Sequence, residues 1–186
     1  MPLTKEQTRS FTQYAKDPEN WRISARRNLA VARVLKDRAD AFKQDRSADE
    51  FDEFSGCLYA WRLHAGLAVE NAVKAALILK DPTLVLEGKL DGKKLSKLCG
   101  LSGHGLLAPV RHVLGELSEK ECRLLAKLEQ HVLWAGKYTI PMLADVLFNK
   151  EQMDVLRNSP MNEFELLESI VNRLFAMVPS EPRRFR

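Results

Sequence analysis

The segment LYAWRLHAGLAVENAVKAALILK, residues 58–80, is apolar around most of a helical circumference. At about 100° per residue, one set of apolar side chains falls on a single helix face: Leu58, Trp61, Ala65, Ala68, Val69, Ala72, Ala76 and Leu79. A second set covers much of the opposite side, at Leu63, Leu67, Leu77 and Ile78. A helix that is apolar nearly all round is usually buried among its neighbours. The segment therefore predicts the central helix of a helical bundle.

The composition is that of one folded domain. The chain has 186 residues, of which 45% are hydrophobic and 29% are charged, enough for one core and short for two. No run of about 18 uncharged apolar residues occurs, and residues 1–10 lack the apolar core of a signal peptide. We therefore expect a cytoplasmic protein without a membrane partner.

Cysteine spacing and net charge bear on cofactors and partners. Cys57, Cys99 and Cys122 are widely spaced and do not form the paired pattern of a metal site, so neither a metal nor another cofactor is predicted. The net charge of +4 is modest, and the basic residues concentrate in residues 22–33, 89–97 and 183–186. This charge permits nucleic-acid binding without requiring it.

Apolar periodicity and capping residues divide the chain into segments. Residues 1–18 contain a short N-terminal helix, in which Thr4 is the predicted N-cap. Residues 19–178 form a single helical bundle, and residues 179–186 are predicted to be a disordered basic tail. A long helix over residues 19–44 is expected to pair with the central helix, which Ser47 caps. The helix over residues 19–44 carries a basic stripe that is expected to point away from the core: Arg22, Arg26, Arg33 and Lys36.

The remaining segments are also helical by pattern. Residues 83–102 are rich in glycine and lysine and are expected to form an irregular, mobile loop with a short helical turn. Further helices are predicted over residues 106–117, 119–135 and 161–177, and a turn or short helix over residues 142–148. No strand pattern is longer than a few residues. The predicted fold is all-α, an antiparallel up-down bundle of four to five long helices.

Three segments of the chain stand out in this order: AGLAVENAVKAAL at 65–77, SGHGLLAPV at 102–110 and AGKYTIP at 135–141. Together they resemble the HEPN family (higher eukaryotes and prokaryotes nucleotide-binding domain). The resemblance covers roughly residues 20–140 and implies an antiparallel helical bundle that forms a homodimer and binds RNA or a nucleotide. The Arg-to-His spacing of the ribonuclease members is missing. Arg111 and His112 are adjacent, and Arg123 and His131 have seven residues between them.

The same resemblance points to five candidate binding residues, Glu70, Lys74, His104, Lys137 and Tyr138. Glu70 and Lys74 are four residues apart with the acid first, which suits either a structural ion pair or a carboxylate that orients basic groups towards an anion. His104 either caps a helix or contacts a phosphate. Lys137 and Tyr138 either close the end of a helix or contact a phosphate and stack on a base.

Three functions remain open at this point. The favoured one is a HEPN-like domain that binds RNA or a nucleotide phosphate, in a stress, defence or toxin–antitoxin setting that only the resemblance implies. The second is a non-catalytic module for dimerisation or for a protein partner such as a nucleotidyltransferase. The third is a divergent metal-independent ribonuclease assembled across a dimer from Arg111, His112, Arg123 or His131. Whether the chain is an enzyme is therefore left open.

Overall fold

The structure is a computed structural model, and it describes residues 4–42, 47–87, 89–99, 105–135 and 162–178. The described part has seven α-helices and a small two-stranded sheet, so the predicted all-α class is confirmed. The helices are α1 (Lys5–Lys16), α2 (Pro18–Asp40), α3 (Ala48–Lys80), α4 (Gly92–Cys99), α5 (Leu107–Leu114), α6 (Glu119–Gln130) and α7 (Glu163–Ala176). A 3-10 turn (Pro82–Leu84), β1 (Val85–Leu86), β2 (Lys89–Leu90) and a π-helical turn (His131–Ala135) complete the set.

Reciprocal capping boxes begin three of the helices. The hydroxyls of Thr4, Ser47 and Ser118 accept hydrogen bonds from backbone N–H groups three residues on, and a glutamine or glutamate at that position returns the contact. Each such cap stabilises a helix by about 1 kcal/mol. The helix starts predicted from these residues are therefore confirmed.

Helix α3 lies at the centre of the described bundle. It packs most extensively against α2 and also contacts α5, α6 and α7. Ala65, Ala68 and Ala72 are completely buried, and so are Ala25 and Ala32 of α2. Small side chains on both helices let the backbones approach closely. The prediction of a central helix is confirmed, whereas the antiparallel up-down arrangement of the whole bundle stays a prediction.

Two predicted orientations were wrong. Leu79, expected on the inward face of α3, is 43% exposed, because the last turn packs through its neighbours Leu77 and Ile78, which are buried. Arg22, expected to point away from the core, is only 4% exposed. Its guanidinium pairs with Glu19 and donates a 3.4 Å hydrogen bond to the carbonyl of Val178, so local partners satisfy its charge inside the bundle.

Residues 82–87 and 89–99 form a 3-10 turn, two short strands and α4, so the irregular loop expected here is wrong, whereas the short helical turn expected within it corresponds to α4. β1 and β2 form an antiparallel hairpin with Val85 opposite Leu90. Helix α4 follows, and the Asp91 carboxylate accepts a 3.0 Å hydrogen bond from the backbone N–H of Lys94 in its first turn. Two-residue strands are too short to produce a recognisable alternation in sequence. Leu84 and Val85 are nevertheless completely buried and attach the hairpin to the core.

The later helices differ from prediction at their ends. Helix α5 stops at Leu114, because Gly115 adopts a φ of 80° that other residues rarely adopt. Helix α6 continues into the π-helical turn, and Leu133, which the apolar periodicity of residues 119–135 predicts to face inward, is exposed. Helix α7 begins at Glu163, two residues later than predicted. The predictions for residues 142–148 and 179–186 lie outside the described residues. Within the described ranges, no helix is long and apolar enough to cross a membrane.

Candidate functional site

Glu70 and Lys74 lie together on the buried side of α3. Their side chains form an ion pair across one helical turn, and the Glu70 side chain is almost fully buried. The Lys74 ammonium also lies 5.3 Å from the centroid of the Trp21 ring of α2, within range of a cation–π contact. The pair therefore connects α3 to α2, and the charge of Lys74 is offset by its own helix neighbour.

The other three candidate residues, His104, Lys137 and Tyr138, lie outside the described residues, so their convergence with Glu70 stays a prediction. The basic segment at residues 22–33 also suggests Arg26 or Arg27 as a partner for Glu70, since it precedes the central helix. The Arg26 guanidinium lies 3.9 Å from the Glu19 carboxylate.

A cluster of charged side chains is buried where α3, α6 and α7 meet. The Lys127 ammonium donates a 2.9 Å hydrogen bond to one oxygen of the Glu163 carboxylate, and the Arg62 guanidinium lies 3.4 Å from the other. Burial lowers the pKa of both Lys127 and Arg62, and the Glu163 charge opposes that effect. No spacing in the sequence indicates this cluster, because its members come from three separate helices.

His131 lies beside this cluster in the π-helical turn and is completely buried. Neither ring nitrogen has a hydrogen-bond partner among the described residues. Burial, followed by the charges of Arg62 and Lys127, lowers the pKa of His131 to about 3. The imidazole is therefore neutral near pH 7, and its ring packs 5.7 Å from the ring of Tyr59.

The remaining Arg and His candidates for a ribonuclease lie on the protein surface, unlike the buried His131. Arg111, His112 and Arg123 are exposed, and Arg111 contacts the Cys122 sulfur at 3.2 Å. Arg123 forms an ion pair with Glu119 of its own helix. His131 is buried, so within one chain the structure does not bring it together with these three exposed side chains.

Two open clefts adjoin each other on the side of the molecule formed by α1, the β-hairpin and α4. The larger has a volume of about 910 Å³ and is lined by Leu86, Glu87, Lys89, Leu90, Asp91, Gly92, Lys93, Ser96 and Lys97. The smaller, of about 420 Å³, is lined by Lys5, Thr8, Arg9, Thr12, Gln13, Lys16 and Glu87. Glu87 belongs to both linings and marks where the clefts meet. We call this surface the basic face, after its six cations: Lys5, Arg9, Lys16, Lys89, Lys93 and Lys97.

The helical period of α1 produces its half of the basic face. Lys5, Arg9 and Lys16 are separated by four and seven residues, so they line one flank of the helix. Ala15 of the same helix is buried and fixes which side faces the core. This spacing was available in the sequence and was overlooked, whereas the lysine-rich stretch at residues 89–97 was recognised as a basic segment.

None of the six cations of the basic face forms an ion pair with any residue that the structure describes. Lys94, in the middle of α4, behaves differently. Its ammonium lies 2.8 Å from the Asp81 carboxylate. Hydrogen bonds from Lys94 and then Thr83 lower the pKa of Asp81 to about 2. Lys93 and Lys97 are thus exposed to solvent, whereas Lys94 contacts the 3-10 turn.

The described residues contain no group of three or more His, Cys, Asp or Glu side chains placed to hold a metal ion. No protein-family model, curated protein or solved structure matches the chain.

Proposed function

We propose that the chain binds the phosphate groups of RNA through the basic face. The observation that carries the proposal is that six exposed cations line two adjoining clefts without partners among the described residues. The resemblance to the HEPN family favours RNA or a nucleotide as the ligand. A stress, defence or toxin–antitoxin setting follows from that resemblance alone.

The charges on α2 make an instructive contrast with the basic face. Arg22, Arg33 and Lys36 each pair with a carboxylate, Arg33 with Glu168 of α7. Such cations contribute to the stability of the fold, and the carboxylates beside them largely cancel their electric fields. Unpaired lysines and arginines contribute nothing comparable to the fold. They can instead neutralise phosphates and release the counterions that phosphates hold.

The five residues chosen from the sequence have a secondary place in this proposal. The Glu70–Lys74 ion pair is neutral overall and packs against Trp21, which fits a structural role. His104, Lys137 and Tyr138 stay predicted contributors to nucleotide binding. In this proposal the electrostatic attraction for phosphates comes from the basic face rather than from these three residues.

The test is the affinity for a labelled single-stranded RNA of about 16 nucleotides, equal in length to the base pairs that a double-stranded RNA-binding domain spans, measured by fluorescence anisotropy at several salt concentrations. The variant Lys93→Gln/Lys97→Gln loses two cations of α4. Its matched control, Arg27→Gln/Lys120→Gln, loses two exposed cations of α2 and α6 that lie outside the clefts.

We expect salt-sensitive RNA binding by the native chain and by the control. The α4 variant should bind more weakly and lose about 0.7 from its salt slope for each phosphate contact removed from a single strand. Binding that does not respond to salt, or an equal loss in both variants, would contradict the proposal. The same samples run on a gel test for cleavage and hence for the ribonuclease alternative.

A second candidate function, a protein-interaction module, is favoured by exposed apolar side chains on α2 and the first half of α3. Val34 is 68% exposed, and Val31, Phe51 and Tyr59 are also exposed. A contiguous exposed apolar patch is typical of an interface with a second copy or a partner, and this candidate function requires that these side chains form one. Sedimentation of the native chain and of Val34→Glu would test it. A dimer that Val34→Glu dissociates would support the homodimer expected from the resemblance.

A further inference from the structure

The cations of the basic face form two separate rows. On α1, Lys5 and Lys16 are eleven residues apart, so this row extends about 16 Å along the helix. The second row, Lys89, Lys93 and Lys97, runs from β2 along α4. Each row lines its own cleft, and the two clefts share the single residue Glu87.

Glu87 places a negative charge between the two rows. It is exposed at the end of the hairpin and has a φ of 48°, a conformation that is unfavourable for glutamate. Its carboxylate forms no ion pair with any residue of the described ranges, although cations line both clefts around it. A ligand whose phosphates crossed directly from one cleft to the other would meet this carboxylate.

A double helix avoids that conflict because it carries two rows of phosphates with a groove between them. The base edges present hydrogen-bond donors in both grooves, the amino groups of cytosine and adenine in the major groove and that of guanine in the minor groove. RNA adds the 2′-hydroxyls of its wide minor groove. A carboxylate facing the groove would meet these donors rather than phosphates.

The lining of the clefts also disfavours recognition of single strands. Proteins that bind single strands usually stack the bases on aromatic side chains. Among the residues that the structure describes, no aromatic side chain lines either cleft. The exposed aromatics of α1, Phe11 and Tyr14, are 46% and 60% exposed and do not line the α1 cleft. The face is therefore built to contact phosphates without stacking on bases.

From this arrangement we infer that the basic face binds a nucleic-acid duplex. One phosphate row contacts α1, the other contacts β2 and α4, and Glu87 faces the groove between them. This inference rests on the proposed function and narrows its ligand to double-helical RNA or DNA. The phosphate rows are common to both, so the experiment below compares the two.

The decisive comparison is a duplex of about 16 base pairs against each of its separated strands, at equal salt and with the native chain. We expect the duplex to bind at least about tenfold more tightly than either strand, with a steeper salt slope. Lys5→Gln/Arg9→Gln and Lys93→Gln/Lys97→Gln should weaken duplex binding to a similar degree, because each removes contacts to one phosphate row. If duplex RNA binds more tightly than duplex DNA, Glu87 faces the minor groove, where RNA carries its 2′-hydroxyls. If the two duplexes bind equally, the basic face recognises the phosphates alone.

Glu87→Gln removes the charge while keeping the shape of the side chain. Relief of repulsion should strengthen binding of a single strand more than of the duplex, so the preference for duplex should shrink. Glu6→Gln, an exposed carboxylate of α1 outside both clefts, should leave that preference unchanged. Single strands that bind as tightly as the duplex would overturn this inference and leave the proposed function standing. An absence of salt-dependent binding to either form would overturn the proposed function itself.

Discussion

The ammonium group of Lys127 donates a 2.9 Å hydrogen bond to the carboxylate of Glu163, and both side chains are buried. Lys127 belongs to α6, and Glu163 is the first residue of α7. Arg62 of α3 reaches the other oxygen of the same carboxylate. One buried carboxylate thus connects three helices, because a buried cation is tolerated only beside a partner of opposite charge.

Glu163→Ala should lower the free energy of unfolding by about 3–5 kcal/mol, since it removes the carboxylate from two buried cations. Urea denaturation at neutral pH measures this change. The control is Glu165→Ala, which removes an exposed carboxylate from the same first turn of α7. A control that loses as much stability as Glu163→Ala would show that the buried contacts do not explain the effect.

The buried imidazole of His131 predicts a dependence of stability on pH. Its pKa falls from 6.5 to about 3 on folding, so between these pH values the unfolded chain binds a proton that the folded chain does not. The free energy of unfolding should therefore decrease as pH falls below about 6.5, by about 1.4 kcal/mol for each pH unit from this residue. Urea denaturation at pH 7, 6 and 5 tests this.

His131→Leu should reduce the steepness of that pH dependence, because leucine binds no proton in either state. An NMR titration measures the pKa of the His131 ring directly in the folded protein. A His131 ring that gains its proton near pH 6.5 in the folded protein would contradict the prediction.

Two glycines of α3 should respond in opposite ways to substitution by alanine. A Cβ atom at Gly66 would clash with the Val132 side chain and approach the Leu128 carbonyl oxygen to 3.1 Å, so Gly66→Ala should destabilise the fold by about 1–3 kcal/mol. A Cβ at Gly56 meets nothing within 4 Å. Gly56→Ala should therefore stabilise the helix by about 0.5–1 kcal/mol. Thermal melting of both variants checks the sign of each effect.

The backbone of Glu87 allows a stability test that is independent of ligand binding. Its φ of 48° is unfavourable for a residue with a Cβ atom, so Glu87→Gly should raise the free energy of unfolding, by up to about 1 kcal/mol. Glu116→Gly, at an exposed position without a positive φ, should lower it slightly. Equal effects in the two variants would contradict strain at the hairpin.

Much of the fold could be predicted from the sequence because its signals are local. The apolar circumference of α3 indicates a central helix, and Ser47 with Glu50 forms the predicted capping box. The exposed Leu79 and the buried Arg22 could not be predicted in the same way. Whether an end turn is covered, or whether an arginine finds a carbonyl such as that of Val178, depends on how distant segments pack.

The candidate site was less predictable than the fold. The Glu70–Lys74 pair follows from helical spacing, and the structure confirms that contact. The basic face combines Lys5 of α1 with Lys93 of α4, whose separate clefts meet at Glu87 of the hairpin that contacts α1. Residues 83–102 were interpreted as an irregular loop with a short helical turn, so the hairpin between the two rows was absent from the prediction.

The measurement that tests the central claim most directly is the salt slope of duplex binding, for the native chain and for a variant with all six cations of the basic face changed to glutamine. Six phosphate contacts at about 0.9 each predict a slope of about −5 in log affinity against log salt. The six-residue variant should retain the fold, since none of these side chains pairs within the described structure, and its slope should approach zero. Equal slopes for the native chain and the variant would contradict the assignment of the basic face to phosphate binding.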